Sequence, residues 1–336
     1  MSSIPIPGSA RITLAALAIV PAALAYSWHS SRDYWLLGIA GVALIVLFGW
    51  WRGLHFTTIL GRRLSIMSRR SNPTSEPDTQ SPVAAKTTAL VRIGPPTADG
   101  AVFPLELIAG YLDRYGIRAD KVRITSRDNA SDASRRETWI GITVSAADNL
   151  PALQARSSRI PLYETAEVAA RRLADHLREI GWEANTVAAD DVPRWLTAKA
   201  RETWRAVQRG TSDYVAAYQI TVDSALPETL EAIRSQSARE TCIALEIGGP
   251  RSADQNTVAA ACAFLADGPP EGAPPVAGLI PQRGNQGPAL AALDLLSTQR
   301  LDGHTDVPAD LLATLDWPTP IAGAHRTART EAASPA

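Results

Sequence analysis

This 336-residue chain carries few of the signatures by which enzymes announce themselves. No GxSxG elbow exposes a nucleophilic serine, and no Walker A loop cradles a nucleotide. No DxD pair is present to hold a metal-bound nucleotide sugar. The histidines (His29, His55, His176, His304 and His325) are scattered, with no two at metal-ligand spacing. Neither a metal nor a cofactor is expected. Cysteine is scarce, and Cys242 and Cys262 form no CxxC, which argues against a disulfide-built scaffold. Both thiols read as small buried hydrophobes in a reducing compartment. Charge of one sign is also lacking: 33 Lys and Arg oppose 34 Asp and Glu, for a formal net charge of −1. That balance excludes a polybasic nucleic-acid binder.

Long apolar runs, by contrast, are present and front-loaded. Ile12–Tyr26 and Tyr34–Phe48 contain no charged residue. With flanking tryptophans, each is about long enough to cross hydrocarbon as a helix. The expectation is a transmembrane helical hairpin over residues 1–52. Trp28, Trp35, Trp50 and Trp51 stand at the predicted span ends, where an indole favours the headgroup level. Gly38 and Gly41 would permit close helix packing. Arg11 precedes the first run, and Arg52, Arg62, Arg63, Arg69 and Arg70 follow the second, whereas the connecting loop holds only Arg32 beside Asp33. The positive-inside bias therefore predicts an inner-membrane protein with two spans and both termini cytoplasmic.

Residues 53–70 predict a basic amphipathic helix, with Phe56, Ile59, Leu60, Leu64 and Met67 forming a stripe suited to anionic headgroups of the bilayer or to a partner. Residues 71–88, rich in Pro, Ser and Thr, read as a flexible linker, and 319–336 as a disordered tail. The stretch 89–318 alternates strand and helix patterns and predicts a cytoplasmic α/β sandwich with a mixed sheet. Helices are expected at Pro104–Tyr115, over Tyr163–Ile180, from Pro193 to Gly210, at Leu226–Gln236, over Asp254–Asp267 and after Gly287. In the strongest of these, Ala166, Ala169, Leu173, Leu177 and Ile180 mark the buried face.

Chemistry has few footholds. Gly248–Gly249 closes a strand ahead of an expected helix, a turn that could bind phosphate on free amides, although Pro250 removes one donor. A membrane-anchored, transferase-like enzyme with a phosphate-containing substrate is the alternative this turn allows. Asp190–Asp191 reads as a helix start rather than a metal pair. Arg114–Arg136 interleaves both charge signs and reads as a solvated face, without aromatics spaced to stack on bases. No nucleic-acid partner is expected.

The segments GYLDRYGIRADKVRITSRD (Gly110–Asp128) and TWIGITVSAADNLPALQARSSRIPLYETAEVAARRLADHLREIGWEA (from Thr138) resemble the EccE subunit of ESX, or type VII, secretion systems. Within that family the style is most similar to the paralogue linked to iron and zinc acquisition. The resemblance covers the chain from its hairpin to about Val222 and is weak after Gly268. It implies a non-catalytic structural subunit of the inner-membrane secretion complex, assembled with EccB, EccD and the motor ATPase EccC. The family brings no catalytic residues to place on this chain.

Overall fold

The computed structural model describes residues 50–51, 54–71, 85–98, 101–130, 132–156, 161–193, 200–249, 255–308 and 310–320. The chain divides into two compact units, Met1–Pro73 and Thr74–Ala336. In the first, Trp50–Trp51 pairs antiparallel with Leu54–His55, and helix α1 spans Phe56–Ser71. Two membrane-crossing helices are not found: among the described residues no helix is long and apolar enough to cross a membrane. The runs Ile12–Tyr26 and Tyr34–Phe48, with Arg11, Trp28, Trp35, Gly38 and Gly41, lie outside the described residues, as does Arg52. The two-span inner-membrane topology with both termini cytoplasmic, which rested on those runs, is accordingly withdrawn. Trp50 and Trp51 belong to a short hairpin rather than a helix end.

The second unit is organised by one open sheet. Its elements are β1 (Lys86–Pro96), α2 (Leu105–Ala109), β2 (Ile117–Asn129), β3 (Asp132–Ser145), α3 (Ala146–Arg156), α4 (Leu162–Glu179) and β4 (Trp182–Val187). They continue with β5 (Arg201–Glu202), β6 (Val207–Arg209), β7 (Asp213–Ile220), α5 (Leu226–Arg234), β8 (Glu240–Gly248) and β9 (Thr257–Ala266). The chain closes with β10 (Leu279–Pro281), α6 (Gln286–Leu293), β11 (Thr305–Asp306) and α7 (Leu311–Thr314). The strand order is β4-β1-β3-β2-β8-β9-β7-β6-β5, with β10 also on β7 and β11 on β9. Every described ladder is antiparallel. The expected mixed sheet is therefore corrected: strands joined through α2, α4 and α5 each have a third strand inserted between them, which makes all neighbours antiparallel.

That insertion is the split βαβ arrangement, and the chain uses it twice. In the first half β1-α2-β2-β3-α4-β4 folds in the order β4-β1-β3-β2. In the second, β7-α5-β8-β9 and β10 give β10-β7-β9-β8, the same order. The halves join edge to edge through β2 and β8 in a register running from Lys121↔Gly248 to Asn129↔Glu240. One difference separates them. Where the first half inserts α4 between its third and fourth strands, the second has only a proline-rich segment around Gly268–Pro275.

Helices α2, α4 and α5 and the C-terminal Trp317 share one face of the sheet in a continuous apolar core. The other face is alanine-rich, with Ala217, Ala244, Ala259, Ala261 and Ala263 packed beneath Leu290 and Leu293 of α6. Small side chains there let the helix lie close. Two side-chain amides complete the strand pairing. Asn149 accepts from the Arg118 N–H and donates to the Arg118 carbonyl, both at 2.7 Å, beside the irregularity between Ala119 and Lys121. Gln286 does the same for Ala217, accepting its N–H at 2.7 Å and donating to its carbonyl at 3.3 Å.

Three further expectations change. The helix expected over Asp254–Asp267 is the strand β9, whose alanines are buried on both faces. Alanine's helix preference yields here to a site with ladder partners on either side. The stretch from Pro193 to Gly210 contains β5 and β6, with 194–199 outside the described residues. Within α4 the buried stripe is Ala166, Ala170, Leu173, Ala174 and Leu177, whereas Ile180 caps the helix and is 45% exposed. Leu173→Ala is therefore expected to cost about 2–5 kcal/mol in urea unfolding of the full chain. Ile180→Ala should stay within about 1 kcal/mol.

Candidate functional site

At the seam between the halves lies a buried ionic cluster. Arg123 of β2 and Glu246 of β8 are directly opposite in the ladder. Both point to the α6 side of the sheet and are almost fully buried. Glu246 Oε2 accepts from Arg123 Nη2 at 2.6 Å and Nε at 2.8 Å, and from Lys121 Nζ at 3.2 Å. Its Oε1 accepts from the Leu301 N–H and from His304 Nε2, each at 3.0 Å. His304 Nδ1 in turn meets Thr257 Oγ1 at 3.0 Å. A hydrogen on Nε2 satisfies the bond to Glu246, and the Thr257 hydroxyl can serve Nδ1 as donor or acceptor.

The remaining guanidinium hydrogens hold the C-terminal segment. Arg123 donates from Nη2 to the Gln299 carbonyl at 2.7 Å and from Nη1 to the carbonyls of Asp294, at 3.1 Å, and Ala292. Lys121 also donates to the Gln299 carbonyl. Arg300 extends the set outward, bonding Asp120 Oδ1 at 2.9 Å, while Lys86 approaches the same carboxylate at 3.0 Å. One carboxylate thus anchors two cations, an imidazole and a backbone amide.

Electrostatics follow from that crowding. Burial would push the Glu246 carboxyl up, but the His304 bond, Arg123 and Lys121 outweigh it and hold it well below the usual range. Burial, then the Arg123 charge, brings Lys121 down to about 7 despite Glu246. Lys121 is thus the weaker cation of the pair. Arg123 and Glu246 form the fixed core.

Gly248 belongs to this cluster and not to a phosphate cradle. A Cβ there would come within 3.0 Å of Arg300 Nη1 and Thr257 Oγ1 and 3.2 Å of the His304 ring. A larger residue there would press on these side chains. The helix expected after Gly248–Gly249 is β9, and Gly249 donates its N–H to the Asp120 carbonyl at 3.2 Å. The strand-to-helix anion site, and with it the transferase alternative, is overturned.

Two clefts flank the sheet. One of about 250 Å³ is bordered by Gln219, Gln282, Asn285, Arg300 and Asp302. Arg300 is the member of the charged set that reaches it, whereas Lys121, Arg123, Glu246 and His304 do not line it. The other, about 190 Å³, lies under the proline-rich segment and is walled by Tyr214, Tyr218, Phe264, Pro270 and Pro274. It occupies the place where α4 lies in the first half. Burial pushes the Tyr218 hydroxyl up to about 12. Among the described residues no group of His, Cys, Asp and Glu is placed to hold a metal ion. Both cysteines are free, buried and shifted upward by burial, as suits inert packing.

The sequence-derived candidates fall elsewhere. Arg62 is partly buried and Arg63 exposed in α1, which also contains Arg69 and Arg70. The cluster at the seam drew no attention in the sequence. Lys121 and Arg123 fall in the Arg114–Arg136 run expected to be solvated, yet they are only 1% and 3% exposed. The alternation in DKVRITSR placed them on one face of a strand. Sequence alone does not show that a carboxylate 123 residues away covers that face.

Residues 132–220 match a family described as a type VII ESX secretion system translocon, EccE. The ESX-3 secretion system protein EccE3 of Mycobacterium tuberculosis is 60% identical over 329 residues, 98% of this chain and 97% of that protein. The ESX-3 secretion system protein EccE3 of Mycolicibacterium smegmatis is 46% identical over 301 residues, 89% of this chain and 92% of its own.

Glu246→Gln leaves Arg123 without its counter-charge and is expected to cost about 3–5 kcal/mol in urea unfolding. Lys121→Met should cost on the order of 1 kcal/mol. Glu246 stabilises above its unfolded pKa of 4.5, and that contribution is lost as pH falls toward its depressed folded value. For Lys121 the folded pKa of about 7 lies below 10.5, so the unfolded chain binds the extra proton between them. The native protein should therefore gain stability relative to Lys121→Met as pH rises from about 7 to 9. A difference that is flat across this range would contradict the assignment.

Proposed function

The chain belongs to the EccE family of type VII (ESX) secretion subunits, of the ESX-3 kind, and from that premise we propose that it assembles with EccB, EccD and the motor ATPase EccC. It is a non-catalytic subunit, and its part is structural: a stiff, doubly built sheet presenting charged helix faces to neighbours. The observation that carries this reading is the 60% identity to an ESX-3 EccE3 across 98% of the chain. The cluster at the seam fits a structural part, because each oxygen of Glu246 is engaged by internal donors. Export by the ESX-3 system, which the family resemblance links to iron and zinc acquisition, is the process the subunit supports.

Affinity purification of the tagged full chain, expressed from its own locus and gently extracted, tests the assembly. EccB, EccC and EccD should co-purify. Their absence from the eluate, with the tagged chain intact, would remove the reading. A strain lacking the chain should lose ESX-3 export and grow poorly under iron limitation, and Lys121→Met should restore both.

A further inference from the structure

The hairpin that leads into β2 has a tip built against the usual residue preference. Asp113 pairs with Arg118 and Arg114 with Ile117, leaving Tyr115–Gly116 as a two-residue turn. Their φ angles are 56° and 72°, so both lie in the left-handed region that a type I′ turn requires. Asn-Gly adopts this turn readily, whereas a bulky residue at the first position is strained. The ring is not compensated by burial, since Tyr115 is 56% exposed. A strained backbone that holds an aromatic ring out in solvent directs attention to what the ring meets there.

The ring is held in a fixed setting. The Arg172 guanidinium of α4 stands 4.6 Å from its centroid, and that of Arg114 stands 5.4 Å from it and 5.0 Å from the Tyr111 ring. Tyr111 is buried and donates its hydroxyl to the Arg172 carbonyl at 3.1 Å, tying the floor of the group to α4. The space beneath amounts to about 10 Å³, room for one water at most, so the group protrudes rather than receives. The nearby ion pairs are Arg118–Asp113 and Arg178–Asp175. Among the described residues, neither Arg114 nor Arg172 is paired with a carboxylate. Tyrosine and arginine presented together on rigid elements are the residue types that dominate interface energetics.

We infer that Tyr115, Arg114 and Arg172 form a docking knob for an acidic patch on a partner protein. That patch offers carboxylates to the two guanidinium groups and a cleft to the phenol ring. The composition argues for protein over anionic lipid. A tyrosine ring fixed between two guanidinium groups on a rigid turn fits a shaped cleft with discrete carboxylates, and these residue types dominate protein interfaces. The knob does not require that the partner be EccB, EccC or EccD, so its failure and that of the assembly reading are separable.

The test replaces Tyr115 by the photo-crosslinking residue benzoylphenylalanine in the full chain, in its native cell. Irradiation should join it to one protein, at a peptide carrying Asp or Glu. Arg172→Glu should lower the cross-linking yield about tenfold or more, as for loss of an interface hot spot. Changing the mapped carboxylate to Arg should restore the yield. Tyr115→Asn, the residue the turn prefers, should keep or raise the Tm. Any of four results overturns the proposal: no protein adduct or a lipid adduct alone, a mapped peptide without a carboxylate, a charge swap that fails to restore the yield, or a fall in Tm for Tyr115→Asn.

Discussion

The pairing of Arg123 with Glu246 is the constraint around which the second unit is arranged. The two residues face each other across the ladder that joins the halves, and the remaining guanidinium hydrogens reach carbonyls at the end of α6 and in the segment that follows it. Three parts of the chain, far apart in sequence, therefore meet at one charge pair. Buried charges are expensive to desolvate, so such a pair persists only where nearly every donor and acceptor is answered. Here Leu301, His304, Thr257 and Lys121 supply those answers. The cluster contributes to uniqueness as well as to stability, because a shifted β2–β8 register would separate arginine from glutamate.

Repetition of the split βαβ unit explains much of the rest. Each half offers one edge strand to the other, and joining them removes two exposed edges at once. The helices of both halves then lie on the same face and share one apolar core. On the opposite face, α6 and the ordered segment after it cover the alanine-rich strands. The halves differ where α4 has no counterpart. Prolines at that place wall an aromatic cleft instead of burying the sheet under a helix.

Parts of this were legible in the sequence. The strong amphipathic period over Tyr163–Ile180 identified α4, and the alternation in DKVRITSR identified the core of β2. Failures fell where tertiary context decides. The run TVAAACAFLA has a helical composition, but both of its neighbours in the sheet demand a strand. Ile180 continued the apolar spacing one step past the helix end, where Gly181, at φ 90°, turns the chain away. Gly248–Gly249 suggested an anion turn, yet Gly248 packs against Arg300 and His304. The site itself was illegible, because nothing local marks Arg123 and Glu246 as partners. Family resemblance, carried by the stretch from Gly110 to Ala184, gave the functional class that composition and motifs did not.

The antiparallel seam also has a mechanical consequence. A pull that drives β2 and β8 past one another along the strand direction loads the whole ladder from Lys121↔Gly248 to Asn129↔Glu240 together, with the ionic clamp strained alongside it. A pull across the strands would peel the same ladder one rung at a time. A secretion-system subunit built on this seam thus has a strong axis and a weak axis, and the direction of its attachments determines which one bears the load.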